Sequence, residues 1–350
     1  MSGTSYRDAG VDIDAGDRAV ELMKQRVQRA TRPEVVGGLG GFAGLFALDV
    51  ARWPKPLLAS STDGVGTKLA VAQAVDKHDT VGIDLVAMVV DDLVVCGAEP
   101  LFLQDYIACG QVIPERIADI VGGITEGCRL AGAALVGGET AEHPGLMEAA
   151  HYDLAATGVG VVDADSVLGP ERVRPGDVVI GMASSGLHSN GYSLARHVLL
   201  RQARLRLDGV VDSLGRTLGE ELLEPTRIYA KDCLALIQET GVHAFSHVTG
   251  GGLAANLARV VPDGCRAVLE RSTWTPAPIF SLIAERGSVQ REEMERTFNM
   301  GVGMVAVVPP EDADRALAIL TARHVSAWVL GGIEPVDGEG SAVCVGDHPA

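Results

Sequence analysis

Residues 82–100, GIDLVAMVVDDLVVCGAEP, set two carboxylates in the middle of an apolar run. The run is long enough to predict a buried helix that ends near Gly97, and a buried carboxylate is costly unless something pairs with it. Any fold of this chain must therefore turn Asp91 and Asp92 to a solvated edge or bring a partner to them. For an isolated pair of acids the solvated edge is the commoner outcome.

The flanking sequence alternates between strand and helix patterns. Leu57-Leu58-Ala59 reads as a short strand, LFLQDYIA as another, AALVGGET as a strand running into a turn, and YDLAATGVGVVD as a fourth. PERIADIVGGITEGCRLAG reads as a helix with Pro114 in its first turn, and residues 17–30 as an amphipathic helix stopped by Pro33. The alternation predicts an α/β (α+β) domain. The Pro-, Gly- and charge-rich stretch 167–186 reads as a boundary, which gives two domains, 1–168 and 169–350. In the second, helices are expected near 191–204, 226–240 and 252–260, and strands at VVIGMAS, CRAVLE, GVGMVAVV and SAWVLGGIEPV.

Charge narrows the partners. A net charge of −17 without a basic cluster argues against nucleic acid. The N-terminus lacks a signal-peptide apolar region, and no apolar run approaches the roughly 20 residues of a membrane span. Six scattered cysteines without a C-x-x-C pair point to reduced thiols and a cytoplasmic protein.

The loop SSTDGVGTKL, residues 60–69, has the parts of a phosphate loop in the wrong order, since Thr67 precedes Lys68 and Asp63 leads. With Asp63 at a strand end, Asp91 and Asp92 in the apolar run and Glu139 in LVGGET, the first half offers hard oxygen ligands of the kind that suit Mg²⁺. The segment VVGGLGGFAGLF, 35–46, misses G-x-G-x-x-G because Ala43 takes the third glycine's place. It follows a helix rather than a strand, and a mobile lid and a plain surface loop are both open readings. In SSGLHSNGYS, 184–193, His188 can act as acid or base, while Ser189 or Asn190 can cap the next helix. The loop FSHVTGGGL puts Thr249, Gly250, Gly251 and Gly252 at a helix start, where free N–H groups bind anions. Asn299 in TFNMGVGM reads as structural.

Together these blocks resemble the aminoimidazole ribonucleotide synthetase (phosphoribosylformylglycinamidine cyclo-ligase) family. The resemblance runs in order through SYRDAGVDIDAGD, RPEVVGGLGGF, STDGVGTKL, HDTVGIDLVAM, DLVVCGAEPLF, LVGGETAE, SSGLHSNGYSL, PTRIY, HVTGGG and TFNMGVGM. It implies an N-terminal α/β domain whose strands join a second subunit's in a barrel-like homodimer core, with a C-terminal α/β domain against it. It implies ATP-dependent closure of formylglycinamidine ribonucleotide to aminoimidazole ribonucleotide. The formyl amide oxygen is phosphorylated, the amidine nitrogen attacks that carbon, and phosphate leaves. Carried onto this chain, the resemblance implies Asp63 and Asp92 as Mg²⁺ ligands, Asp91 as a weaker one, and Glu139 at the metal or nucleotide. Lys68 would balance phosphoryl charge. Gly37, Gly38, Gly40 and Gly41 would cover the ATP that Gly64, Gly66 and Thr67 approach. His188, Ser189 and Asn190 fall at the reacting end of the substrate, and Thr249 to Gly252 at its phosphate. A related ATP-dependent enzyme and a silent nucleotide-binding partner are the competing readings. The blocks SYRDAGVDIDAGD and PTRIY separate off the first; intact Asp63, Asp92, Lys68 and His188 speak against the second.

Overall fold

A computed structural model describes residue 6, residues 9–37 and residues 41–349. Gly38 and Gly40, expected over the nucleotide, lie outside the described residues. The first half runs α1 (Ile13–Val27), β1 (Val35–Val36), β2 (Leu45–Phe46), β3 (Pro56–Gly64), α2 (Leu69–Val75), α3 (Val81–Val94), β4 (Glu99–Cys109), α4 (Pro114–Ala131), β5 (Ala134–Glu142) and β6 (Tyr152–Asp163). The second runs β7 (Val178–Ala183), α5 (Tyr192–Arg196), β8 (Val210–Val211), β9 (Arg216–Thr217), α6 (Leu218–Leu222), α7 (Ala230–Glu239), β10 (Ala244–His247), α8 (Gly252–Ala258) and β11 (Cys265–Glu270). It ends with α9 (Pro278–Gly287), α10 (Arg291–Thr297), β12 (Val302–Val308), α11 (Ala313–Ala322), β13 (Ala327–Pro335) and β14 (Ser341–Val345).

The fold is mixed α/β with two main sheets. The first has the order β3-β6-β4-β5, antiparallel except for the parallel β4–β5 pair. The second has the order β10-β12-β7-β13-β11-β14, antiparallel except for β11–β14. Helix α3 is the element that both halves share. Of its fourteen residues only Ile83 and Asp92 are not buried. It packs against β3 and β6 in the first half and against α7 and β10 in the second. A uniformly apolar helix is stable only when covered on all sides, and the two domains together supply that cover.

Several sequence expectations shift by a few residues. Asp12 caps α1 by accepting from the Ala15 N–H, so the helix starts at Ile13 rather than 17. The strand before the opening loop extends to Gly64, which puts Asp63 on β3 itself. Strand β5 continues straight through Gly137-Gly138, so Glu139 sits on a strand and not in a turn. The helix expected over 226–240 begins only at Ala230, because Thr226 and Tyr229 commit their backbone N–H groups to carboxylates of α3.

Candidate functional site at the domain seam

Adjacent residues on a helix point about 100° apart, and α3 uses this to split its two acids. Asp92 is exposed at the seam, and its Oδ1 lies 2.9 Å from His247 Nδ1 at the end of β10. Asp91 is fully buried. Its Oδ1 accepts the Tyr229 N–H at 2.9 Å, Oδ2 has no partner among the described residues, and burial lifts its carboxyl to about 7. The expectation that Asp91 helps hold a metal fails on this geometry, because it anchors the second domain instead. Asp63 faces the same seam. Its Oδ1 accepts the Gly64 N–H at 2.7 Å, and its carboxyl is pushed up, first by burial and then by the charge of Asp92. Burial pulls the His247 imidazole down, but the hydrogen bond to Asp92 and the charges of Asp91, Asp92 and Asp63 outweigh it and leave it raised.

Asp63 and Asp92 are thus two carboxylates that repel each other at an accessible edge, and a divalent cation relieves that repulsion. Among the described residues no three His, Cys, Asp or Glu side chains gather into a closed metal site. Two carboxylates at a partly exposed edge fit Mg²⁺, which keeps several waters and is seldom held by protein alone.

Lys68 does something other than expected. It is fully buried, and its three protons go to Asp84 Oδ1 at 2.8 Å, the His188 carbonyl at 3.1 Å and the Glu224 carbonyl at 2.6 Å. No proton is left for a phosphoryl oxygen, so the charge-balancing role is corrected to that of an interdomain strut. Asp84 also accepts the Thr226 N–H and hydroxyl, each at 2.7 Å. Glu139 is a second correction. In register, Asp63 pairs with Ala156 and Ala156 with Asp105, while Glu139 pairs with Tyr106, Tyr106 with Ala155 and Ala155 with Gly64. Glu139 therefore projects from the opposite face to Asp63, and from the other edge of a four-stranded sheet, roughly 14 Å away at about 4.8 Å per strand. The two cannot share an ion within one chain.

The remaining expected residues gather around the seam. Thr67 is exposed, with its hydroxyl 3.1 Å from that of Ser193 on α5. His188 is buried, and Ser189 Oγ lies 3.3 Å from Thr226 Oγ1. Neither Ser189 nor Asn190 caps α5; Gly191, in the left-handed region, occupies that position. Asn299 is structural, as read: it accepts from Ser184 and the Gly301 N–H and donates to the Gly186 carbonyl. The triple-glycine loop is pinned by Asn256, whose amide donates to the carbonyls of Thr249, Gly250 and Gly252. At Gly252, φ is +78° and a Cβ would meet the Glu295 carbonyl oxygen at 1.7 Å. Gly252→Ala is accordingly expected to cost more than about 2 kcal/mol, read as a fall in Tm; an unchanged Tm would show that the loop can move aside.

Comparison with known proteins agrees with this layout. The family description "AIR synthase related protein, N-terminal domain" matches residues 47–162, and its C-terminal counterpart matches residues 174–343. Curated proteins named phosphoribosylformylglycinamidine cyclo-ligase are similar over nearly the whole chain. The one from Anaeromyxobacter dehalogenans (strain 2CP-1 / ATCC BAA-258) is 59% identical, covering 97% of this chain and 98% of that protein. The one from Myxococcus xanthus (strain DK1622) is 54% identical, covering 97% and 99%. The chain belongs to the phosphoribosylformylglycinamidine cyclo-ligase family. It is an enzyme of the ligase class. Solved structures show the same fold at lower identity. Thiamine-monophosphate kinase from Stenotrophomonas maltophilia K279a superposes with a TM-score of 0.67 at 19% identity, covering 94% of this chain and 96% of that one. The hydrogenase maturation protein HypE, solved in complex with ATP, gives 0.65 at 20% identity, covering 96% and 93%.

In this cyclo-ligase fold two seam residues, Asp84 and His247, and one buried acid of the first sheet, Asp105, were not legible as such from the sequence. Asp84 and His247 lay in quoted blocks, but only the seam reveals their partners. Asp105 shares the sheet row and face of Asp63, and burial lifts its carboxyl to about 7. Gly138 makes room for it, since a Cβ there would lie 2.3 Å from Asp105 Oδ1.

Proposed function

We propose that this protein closes the imidazole ring of purine biosynthesis, converting formylglycinamidine ribonucleotide and ATP, in the presence of Mg²⁺, into aminoimidazole ribonucleotide, ADP, phosphate and a proton. The γ-phosphoryl group passes to the formyl amide oxygen, the amidine nitrogen attacks that carbon, and the C–O bond breaks with release of phosphate. An amide oxygen is a poor leaving group and a phosphorylated one a good one, so the protein must chiefly position and neutralise. The observation that carries this reading is the Asp63 and Asp92 pair at the seam, joined through His247 to the second domain.

Asp63 and Asp92 would hold Mg²⁺, which neutralises charge on the triphosphate when bound. Residues 1–168 form the nucleotide half and 169–350 the substrate half. His188, Ser189 and Asn190 face the reacting end of the substrate, and the loop amides of Thr249 to Gly252 take its phosphate. Gly37 and Gly41 lie between β1 and β2, and a fully exposed Phe42 next to Gly41 supports a cover for the nucleotide. A homodimer is supported by the face of the first sheet that turns away from α3, where Thr62, Gln104 and Tyr106 are exposed. Glu139 projects from that same face and would serve the nucleotide across the subunit boundary. Six free cysteines fit a cytoplasmic enzyme.

The purified protein with both reactants and Mg²⁺ should release aminoimidazole ribonucleotide and ADP in equal amounts; turnover of thiamine phosphate or selenide instead would overturn the assignment. Light scattering should give twice the 36.5 kDa chain mass. A monomer at micromolar concentration would remove the dimer from the proposal.

A further inference from the structure

We propose that His188 serves ring closure as a fixed, neutral hydrogen-bond donor through Nδ1, and not as a carrier of protons; this rests on the cyclo-ligase reading above. The Ser185 backbone N–H points at His188 Nε2 at 3.2 Å. A backbone N–H can only donate, so Nε2 must offer its lone pair, and the one proton of the neutral ring sits on Nδ1. That Nδ1 is buried and has no hydrogen-bond partner among the described residues. A stranded buried donor is costly, and folds keep one where a ligand completes it.

The surroundings hold both the ring and its charge state. The backbone of His188 is left-handed, with φ at +61°, a conformation that persists only when its neighbours impose it. Lys68 does so by donating to the His188 carbonyl at 3.1 Å, and Ser189 is held beside Thr226. The groups that face the ring are Lys68 from the loop after β3, Arg227 and Tyr229 from the segment before α7, and His247 from β10. The Tyr229 hydroxyl is already spent on the Ala183 carbonyl. Among the described residues no carboxylate bonds to the ring, and the neighbouring charges are cationic. Burial, followed by those cations, keeps the imidazole well below its usual range. A ring that stays neutral cannot store a proton at neutral pH, but its N–H can stabilise an oxygen that gains charge as the formyl amide is activated. The proton stays on Nδ1 throughout, and no bond to His188 forms or breaks.

Two measurements test this. In asparagine the amide nitrogen occupies the place of Nδ1 and the backbone tolerates positive φ, whereas glutamine reaches toward the place of Nε2. His188→Asn should keep kcat within about tenfold of wild type with an unchanged pH profile, while His188→Gln and His188→Leu should lose more than about 100-fold. Equal losses in the Asn and Leu variants, each with wild-type Tm, would overturn the proposal. Nitrogen NMR of the histidine-labelled full-length wild type should show His188 neutral and protonated on Nδ1 from pH 6 to 8. An Nε2–H form or an imidazolium at pH 7 would also overturn it. The NMR result stands whatever the substrate, so a wild type that does not close the ring removes the cyclo-ligase reading and leaves the tautomer decided.

Discussion

Asp63→Asn is expected to lose at least about 100-fold in kcat/KM for ring closure while keeping or slightly raising Tm. The two halves of that expectation have one cause. Asp63 is pressed toward the seam by β3, its carboxyl pushed up by burial and by the charge of Asp92. An ionised Asp63 therefore costs stability, and a neutral amide of the same shape relieves that cost. The same substitution halves the negative charge available to a divalent cation. The magnesium concentration for half-maximal rate should then rise well above that of the wild type. Initial rates across a magnesium titration and a thermal melt read both effects. A wild-type magnesium curve would remove Asp63 as a ligand, and a large fall in Tm would make it structural. Asp92→Asn gives a useful contrast, because the amide oxygen can still accept from His247 and keep the seam closed.

What the sequence revealed and what it hid follow the range of the interaction involved. Helices α3 and α4 and strands β7, β11, β12 and β13 were legible because apolar periodicity and a flanking Gly or Pro are local signals. Asp63, Asp92 and His188 stood out as candidates because blocks with odd chemistry differed from their surroundings. The split between Asp91 and Asp92 was not, since a pair of adjacent acids gives no hint which of them faces in. Only the arrival of Tyr229, 138 residues away, decides it. Glu139 looked like a turn residue because two glycines precede it. The second of them, Gly138, is there for Asp105 on the next strand, and β5 stays extended. The PTRIY block carried family identity without a mechanism. Its task is to bring Thr226 and Tyr229 onto Asp84 and Asp91 and so clamp the second domain to α3. Long-range pairings of this kind leave no periodicity to read.

Lys68→Met is expected to destabilise the protein by about 3–5 kcal/mol, because it strands a buried carboxylate. Three acceptors around one nitrogen require the ammonium form, and Asp84 is the only one of the three that carries charge. Burial works against the charge of both partners, so neither is tolerable alone. Tm should drop by about 5–10 °C. The double variant Lys68→Met/Asp84→Asn keeps an oxygen for the Thr226 N–H and hydroxyl and removes both charges together, so it should recover most of that loss. Its activity should not recover with it, because the His188 carbonyl still lacks the donor that holds its left-handed backbone. A lysine that met a phosphoryl group would behave in the opposite way. Lys68→Met would then cost rate without stability, and adding Asp84→Asn would destabilise further instead of rescuing. The Tm of the double variant relative to the single one therefore separates a strut from a phosphate ligand.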